Sequence, residues 1–315
     1  MTDAIANRWT HPEVILVATS LSDLDQLIPL AFAQARETGA RLILFHAIAP
    51  SATLNADATG MPYYDAWGAV DAAEHMLSPW SQRAQDLGIQ CNSLVREGVP
   101  VEQICAVVRQ FHADRMILGT RSRSRLSKML LGSVAEQVLR SVSIPVLTVG
   151  PEAHLQVDSG APRVVLYATT LRETSRPSAA LAYSIAASQN AQLVLLHVVP
   201  PAEETSHKGL PIGLDSVAMR ELRVLATKIG AIGSTQIEPV VLHGNPAIEI
   251  LAEASVRCAN LIVLGAAHRT PFERIARDRT VYRVLAHAAC PVLTLREAGE
   301  QIAQPTPEET AVLHQ

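Results

Sequence analysis

Aromatic residues make up only 4% of this chain, and cysteine is scarcer still, with four among 315 residues. Those four, Cys91, Cys105, Cys258 and Cys290, are scattered and form no Cys-x-x-Cys pair. The spacing argues against a zinc site and against a disulfide framework, and it reads as free thiols in a reducing cytoplasm. No apolar run reaches the ~18 residues a spanning helix needs, and Met1 to His11 lacks the apolar stretch of a secretory signal. Net charge is small, at −4, which gives no general pull toward nucleic acid or an anionic membrane. Catalytic signatures are missing too: there is no Gly-x-Ser-x-Gly elbow, no Walker lysine and no Ser-Gly-Gly-x-Asp-Ser pyrophosphatase loop. The paired carboxylates Glu203 and Glu204 fall in a loop pattern and read as solvated. These absences exclude most dedicated enzymes and leave open only slow hydrolysis of a bound nucleotide.

What the chain does contain is itself, twice. Val14-Ile15-Leu16-Val17-Ala18-Thr19 reappears as Val164-Val165-Leu166-Tyr167-Ala168-Thr169, an offset of 150. Leu42-Ile43-Leu44-Phe45-His46 reappears as Leu193-Val194-Leu195-Leu196-His197, an offset of 151. Gly98-Val99-Pro100, Met116-Ile117-Leu118-Gly119 and Pro145-Val146-Leu147-Thr148 each return 146 residues later. Five blocks in one order with nearly constant offsets mark an internal duplication. The length agrees with two domains, each large enough for its own core. They are expected at residues 1–150 and 163–296, with a Pro- and Gly-containing linker at 151–162 and a loose tail at 297–315.

Most of the repeated blocks are short continuous apolar runs, the pattern of strands buried on both faces of a parallel sheet. Helical patterns lie between them: Asp23 to Thr38, ended by Gly39; Glu102 to Phe111, following Pro100; and one within Tyr64 to Leu87, with a mobile loop before it. The alternation predicts an α/β fold of two tandem doubly wound domains, each with a five-stranded parallel sheet. The last apolar run of each copy is a sheet edge that needs cover, so the two are expected to pair antiparallel as a pseudo-twofold monomer.

In open α/β sheets ligands sit beyond the carboxyl ends of the strands, where strand order reverses. In the first copy the candidate loop begins at Gly119, Thr120, Arg121 and Ser122, and ends at Gly132-Ser133 and Val134, which open the next helix. Gly119 permits a tight turn, and Gly132-Ser133 offers free N–H groups and a hydroxyl where phosphate oxygens are well received. Arg121, Arg123, Arg125 and Lys128 add positive charge to that loop. The plainer alternative is that Ser133 caps its helix with no ligand and the basic residues are solvated. His46 and His197 recur at matching strand ends, which argues for a shared hydrogen-bonding role over a ligand. His268, a single loop histidine without a partner of suitable spacing, reads as neither catalytic nor metal-binding.

Gly119 to Val149, with the strand after Glu13 and the Val95-x-x-Gly98-x-Pro100 turn, resembles the universal stress protein family. The nucleotide-binding members of that family carry Gly, two residues, Gly, nine residues, then Gly and Ser or Thr. This sequence fits at Gly119, Gly132 and Ser133, and departs at Ser122, where the second glycine would stand. It departs again at Ser20, where ATP-binding members usually carry Asp. The resemblance implies an adenine nucleotide alpha hydrolase-like fold. It further implies a pocket for ATP or a related adenine nucleotide lined by Thr19, Ser20, Ala47, Leu118, Gly119, Thr120, Ser122, Gly132, Ser133 and Val134, with no metal required. In the second copy Gly265 survives, but Thr170, His268 and Asp278-Arg279 stand at the other positions. Asp278 is expected to compete with phosphate for the helix N-terminus, leaving a degenerate site. The resemblance also implies pairing of the two copies, in place of the dimer that single-copy relatives form through the same strand; a homodimer of the whole chain remains open. The competing reading is an interaction or scaffold protein of the same fold that binds no nucleotide.

Overall fold

A computed structural model describes residues 9–50, 54–56, 62–64, 66–120, 132–154, 163–172, 175–201, 214–230, 235–267 and 274–297. In the first half the elements run β1 (Val14–Ala18), α1 (Leu24–Thr38), β2 (Arg41–Ile48), β3 (Leu54–Ala56), β4 (Pro62–Tyr64), α2 (Ala66–Asp86), β5 (Cys91–Glu97), α3 (Pro100–Gln110), β6 (Arg115–Gly119), α4 (Ser133–Ser141) and β7 (Val146–Val149). Among the described residues the second half repeats the plan: β8 (Val164–Ala168), α5 (Arg176–Ser188), β9 (Gln192–Val199), α6 (Leu214–Ile229), β10 (Ile237–His243), α7 (Pro246–Val256), β11 (Leu261–Ala267), α8 (Arg274–His287) and β12 (Val292–Glu297).

Ten strands form one sheet in the order β10-β9-β8-β11-β12-β7-β6-β1-β2-β5, a palindrome of the two halves. Every neighbouring pair is parallel except the central one, where β12 meets β7 antiparallel in the register Val292–Thr148, Leu293–Leu147 and Thr294–Val146. The contact is reciprocal, as twofold geometry requires. The Thr148 hydroxyl donates to the Val292 carbonyl at 2.9 Å, and the Thr294 hydroxyl donates to the Val146 carbonyl at 3.3 Å. On one face of the sheet a single apolar core runs across this junction, from Val17 and Leu44 through Leu147 and Leu293 to Leu195. The other face carries two separate cores, each against its own helices, with Leu139 packed on both.

The backbone repeats as closely as the strands do. Positive φ occurs in matching pairs: Leu21 (70°) with Leu171 (58°), Gly39 (75°) with Asn190 (49°), Gly98 (135°) with Gly244 (138°), and His112 (50°) with Cys258 (48°). Gly39 and Asn190 end the first helix of each half, where glycine or asparagine takes the left-handed conformation at least cost. At Gly98 and Gly244 φ lies in a region that L side chains rarely adopt, and an added Cβ would also displace the end of Gln103 in one half and of Glu249 in the other.

The helix expected from Asp23 begins one residue later, with Asp23 as its N-cap. The helix placed at Glu102 begins with Pro100 as its first residue, the position where proline's missing N–H costs nothing. Ahead of α2 lies the β3–β4 antiparallel hairpin, which strands of three residues are too short to announce in a sequence. The first residues of the expected linker are hydrogen-bonded. The Ala153 N–H bonds the Gly150 carbonyl, and the His154 N–H reaches across to Ala289 in the second half at 2.8 Å. The rest of the linker, residues 155–162, and the tail, 298–315, lie outside the described residues.

Candidate functional site

Strand order reverses between β1 and β6: β1 leads outward to β2, and β6 leads inward to β7. The crevice at their carboxyl ends is where a doubly wound sheet offers a ligand its first foothold. Thr19 closes β1 with a set of hydrogen bonds that fixes the loop beyond it. Its N–H donates to the Phe45 carbonyl at 2.9 Å, and its carbonyl accepts from His46 Nδ1 at 2.8 Å. Its hydroxyl oxygen accepts from the Leu21 N–H at 2.9 Å, which holds Leu21 in its left-handed conformation. The second half reproduces this frame: Thr169 N–H to Leu196, His197 Nδ1 to the Thr169 carbonyl at 2.9 Å, and Leu171 N–H to the Thr169 hydroxyl at 3.0 Å. Both histidines therefore serve the backbone at the strand end, one partner each being the same carbonyl.

The halves diverge at the next residues. In the first, the Thr19 hydroxyl donates to Asp23 Oδ1 at 2.5 Å, and the Ser20 N–H donates to the same oxygen at 3.1 Å. Asp23 stands at the N-cap of α1, yet its side chain makes no capping bond to that helix. It is turned back into the crevice and is 3% exposed. Its second oxygen, Oδ2, lies over Gly119: a Cβ built on that glycine would collide with Oδ2 and stand 3.0 Å from Asp23 Cγ. Gly119 is thus glycine because a carboxylate occupies the space where a side chain would be. Sequence reasoning missed Asp23, although an acid just past a strand end and just ahead of a helix was its available signal.

Of the residues expected to line the pocket, Thr19, Ser20 and Gly119 meet around Asp23. The Ser20 hydroxyl lies 3.1 Å from that of Ser22, near the surface. Ala47 lies next to His46 on β2, half-buried and packed on the core with Leu118. Thr120 goes elsewhere. It is buried, its N–H and hydroxyl both donate to the Val149 carbonyl at 3.1 and 3.4 Å, and so its side chain serves β7. Leu118 is a core residue for the same reason, pointing into the layer under α3 and α4.

Across the crevice, α4 opens at Ser133 after Gly132, whose φ of −61° and ψ of 141° give the extended geometry of an N-cap without a side chain to cap with. Ser133 is exposed and Val134 packs on the core. Ser122, with Arg121, Arg123, Arg125 and Lys128, lies outside the described residues. In the second half α8 begins at Arg274, four residues before Asp278. Asp278 is consequently inside the helix and does not stand at its N-terminal donors, contrary to the expectation from alignment with Gly132. His268 lies outside the described residues.

Nothing else in the described residues offers competing chemistry. No group of three or more His, Cys, Asp or Glu side chains gathers to hold a metal among them. Burial pushes the Cys290 thiol up to about 12 and raises Cys91 and Cys105, so these thiols stay protonated at neutral pH. No helix among the described residues is long and apolar enough to cross a membrane.

Comparison with known proteins adds the context. The family model described as "Universal stress protein family" matches residues 12–150 and again 162–296. The Universal stress protein E homolog of Haemophilus influenzae is 33% identical over 154 residues, 45% of this chain and 49% of its own length. A universal stress protein of Methanocaldococcus jannaschii is 30% identical over 95 residues, 29% of this chain and 56% of its own. The chain spans about half the length of the curated relatives it matches. The crystal structure of a universal stress protein from Archaeoglobus fulgidus matches 93% of this chain and 99% of its own, with a TM-score of 0.69 at 21% identity, a likeness of fold.

Proposed function

Because this chain belongs to the universal stress protein family along both halves, we propose that it is a stress-response binding protein whose first half holds an adenine nucleotide. The observation that carries this reading is the crevice between β1 and β6. There Gly119, with the Asp23 carboxylate against it, ends one strand, and the next helix in the chain, α4, starts at a side-chain-free N-cap. Backbone N–H groups at such a start, lacking a capping side chain, are donors suited to phosphate oxygens. Ser20, Ala47, Gly119, Ser122, Gly132, Ser133 and Val134 are the residues we assign to the ligand; Leu118 and Thr120 support the strand beneath it. The second half keeps the frame around Thr169 and begins its corresponding helix differently, and we assign it no ligand. Its role is to cover β7, standing in for a partner copy. The protein acts in the cytoplasm through its bound state, with no dedicated catalytic step.

The reading is tested by heat-denaturing the purified protein and identifying adenine compounds in the supernatant, alongside calorimetry with ATP, AMP and adenosine. An adenine compound in the extract, or saturable binding near one equivalent, supports it; an empty extract with no heat of binding overturns it. A second reading, an interaction protein of the same fold without a nucleotide, is favoured by the carboxylate of Asp23 lying in the crevice and by Ser20 and Ser122 at two positions of the family pattern. It gains if the pair Ser20→Asp and Ser122→Gly creates ATP binding that the parent protein lacks.

A further inference from the structure

The two outer edges of the ten-stranded sheet are β5 and β10, and they are finished differently. In the first half the Leu42 N–H of β2 donates to the Gln90 carbonyl just before β5, and the Gly98 N–H just after β5 donates to the Ile48 carbonyl. Backbone groups alternate sides along a strand, so the even-numbered residues between them face β2, while Cys91, Ser93 and Val95 turn theirs outward. The second half has the same phase, with the Leu193 N–H on Gln236 and the Gly244 N–H on Val199, so Ile237, Pro239 and Val241 turn outward. Pro239 thus stands where an N–H would point off the sheet, and its ring obstructs an incoming strand. Beside it the Glu238 carboxylate accepts from Gln192 at 2.7 Å and from Arg257 at 2.6 Å, which adds a charged cluster to that edge. β5 has neither device. At the repeat offset of 146, Ser93 stands where Pro239 does, Asn92 where Glu238 does and Phe111 where Arg257 does. The outward N–H and C=O groups of Ser93 and Val95 meet no hydrogen-bond partner among the described residues. The one cation of the strand, Arg96, is drawn to Gln110 on α3, and α2, the helix packed on β5, exposes Trp67 and Met76.

We infer that β5 is an interface, on which a second copy of this chain lays its own β5 antiparallel across a twofold axis at Leu94. The strand is self-complementary in that register. Its seven residues all find partners: Ser93 and Val95 form hydrogen-bonded pairs, Arg96 stands opposite Asn92, and Cys91 stands opposite Glu97. Half-buried Leu94 meets its own counterpart in a non-hydrogen-bonded pair, where side chains approach most closely. No like charges face each other. A sheet running unbroken between two copies of one unit is already how the halves meet at β12 and β7, and pairing at β5 extends the same solution outward. Pro239 confines it to one end, so the assembly closes as a dimer and does not run on into a fibre. The inference is independent of any ligand in the first half.

The test is sedimentation velocity of the full chain over a wide range of concentration, comparing the parent with Ser93→Pro and Leu94→Lys. The first substitution transplants the block of β10 onto the outward position of β5, and the second sets two like charges together at the twofold axis. The parent is expected to form a dimer that dissociates on dilution, and each variant to raise its dissociation constant by about tenfold or more. Leu94→Cys, combined with Cys258→Ser to remove an exposed thiol, reads the register without a proline or a charge. Copper-catalysed air oxidation is expected to link two copies through position 94, because such partners lie ~4.5 Å apart at Cα, within reach of a disulfide. Pro239→Ser, which clears the other edge, is expected to add species larger than the dimer. A parent that stays monomeric at every concentration overturns the inference. So does a dimer that both β5 variants leave intact, or a Leu94→Cys variant that oxidation does not link.

Discussion

At the end of its first strand each half builds the same small frame, a threonine whose hydroxyl pins a left-handed leucine and whose carbonyl takes a histidine N–H. One residue further on they part. The first half folds Asp23 back over Gly119; in the second, Thr170 and Ser175 place hydroxyl oxygens 3.4 Å apart. The frame is a property of the fold and was kept in both copies. The buried carboxylate is a property of one copy. Each half still depends on the other's edge strand, through which the two sheets join. A second asymmetry lies at the opposite end of the strands. β6 opens with Arg115, buried, stacked 3.6 Å from the Trp9 ring and hydrogen-bonded to Gln34 and the Trp9 carbonyl, whereas β11 opens with Leu261. Burial lowers the Arg115 guanidinium to about 9, so the first half spends stability on a cation that the second half replaced with a hydrocarbon.

The most damaging way to break the comparison is to separate the halves. Leu293→Asp puts a carboxylate opposite Leu147 in the continuous core, and it is expected to cost about 4 kcal/mol or more and to split or abolish cooperative unfolding in urea. Two well-behaved, independently melting halves would show that the junction is dispensable. Next comes Trp9→Ala, expected to cost about 3 kcal/mol through lost packing and loss of the ring over Arg115. The double variant Trp9→Ala with Arg115→Leu should recover part of that loss in denaturant titrations, since it gives β6 the residue type that opens β11. The paired turns provide a symmetric control. Gly98→Ala and Gly244→Ala should each cost about 1–2 kcal/mol, and by similar amounts, because φ near 135° and the Gln103 or Glu249 side chain oppose a Cβ in both. Unequal losses in chemical melts would mean that the halves differ in stiffness as well as in charge.

The smallest effect is electrostatic. In the second half Arg257 holds Glu238 at 2.6 Å and Glu253 at 2.8 Å; the positions matching Arg257 and Glu238 in the first half are Phe111 and Asn92. The hydrogen bond from Arg257 keeps the Glu238 carboxyl below the usual carboxylate range. A group whose pKa is lower folded than unfolded binds fewer protons when folded, so its contribution is present at neutral pH and is lost as pH falls through that lowered value. Arg257→Ala is expected to cost about 1 kcal/mol at neutral pH and to flatten the acid limb of the stability curve, read by melting temperature against pH. An unchanged acid limb would remove this ion pair from the account.

Four strands of each half were legible because they are short apolar runs that recur at nearly constant offsets, the pattern of strands buried on both faces of a parallel sheet, whereas β5 and β10 carry mixed sequences and gave no such signal. Helix ends were legible where a residue type carries the geometry, as at Gly39 and Pro100. The site was legible only in outline. Gly119, Gly132 and Ser133 could be found by spacing, but nothing in the spacing says that Thr120 turns toward Val149, which follows from its place beside β7. Nor could alignment show that α8 starts at Arg274.

The sequence alone determined that there are two copies, that each alternates strand and helix, and that the phosphate-loop pattern is kept in one and eroded in the other. These are local facts, written in periodicity and residue type. Tertiary structure alone decided that Asp23, five residues past the end of β1, meets Gly119, nearly a hundred residues away, so that a glycine assigned to nucleotide approach also makes room for a buried carboxylate. No local rule carries that information. It arises only when β1 and β6 become neighbours in the sheet and bring their loops to the same end.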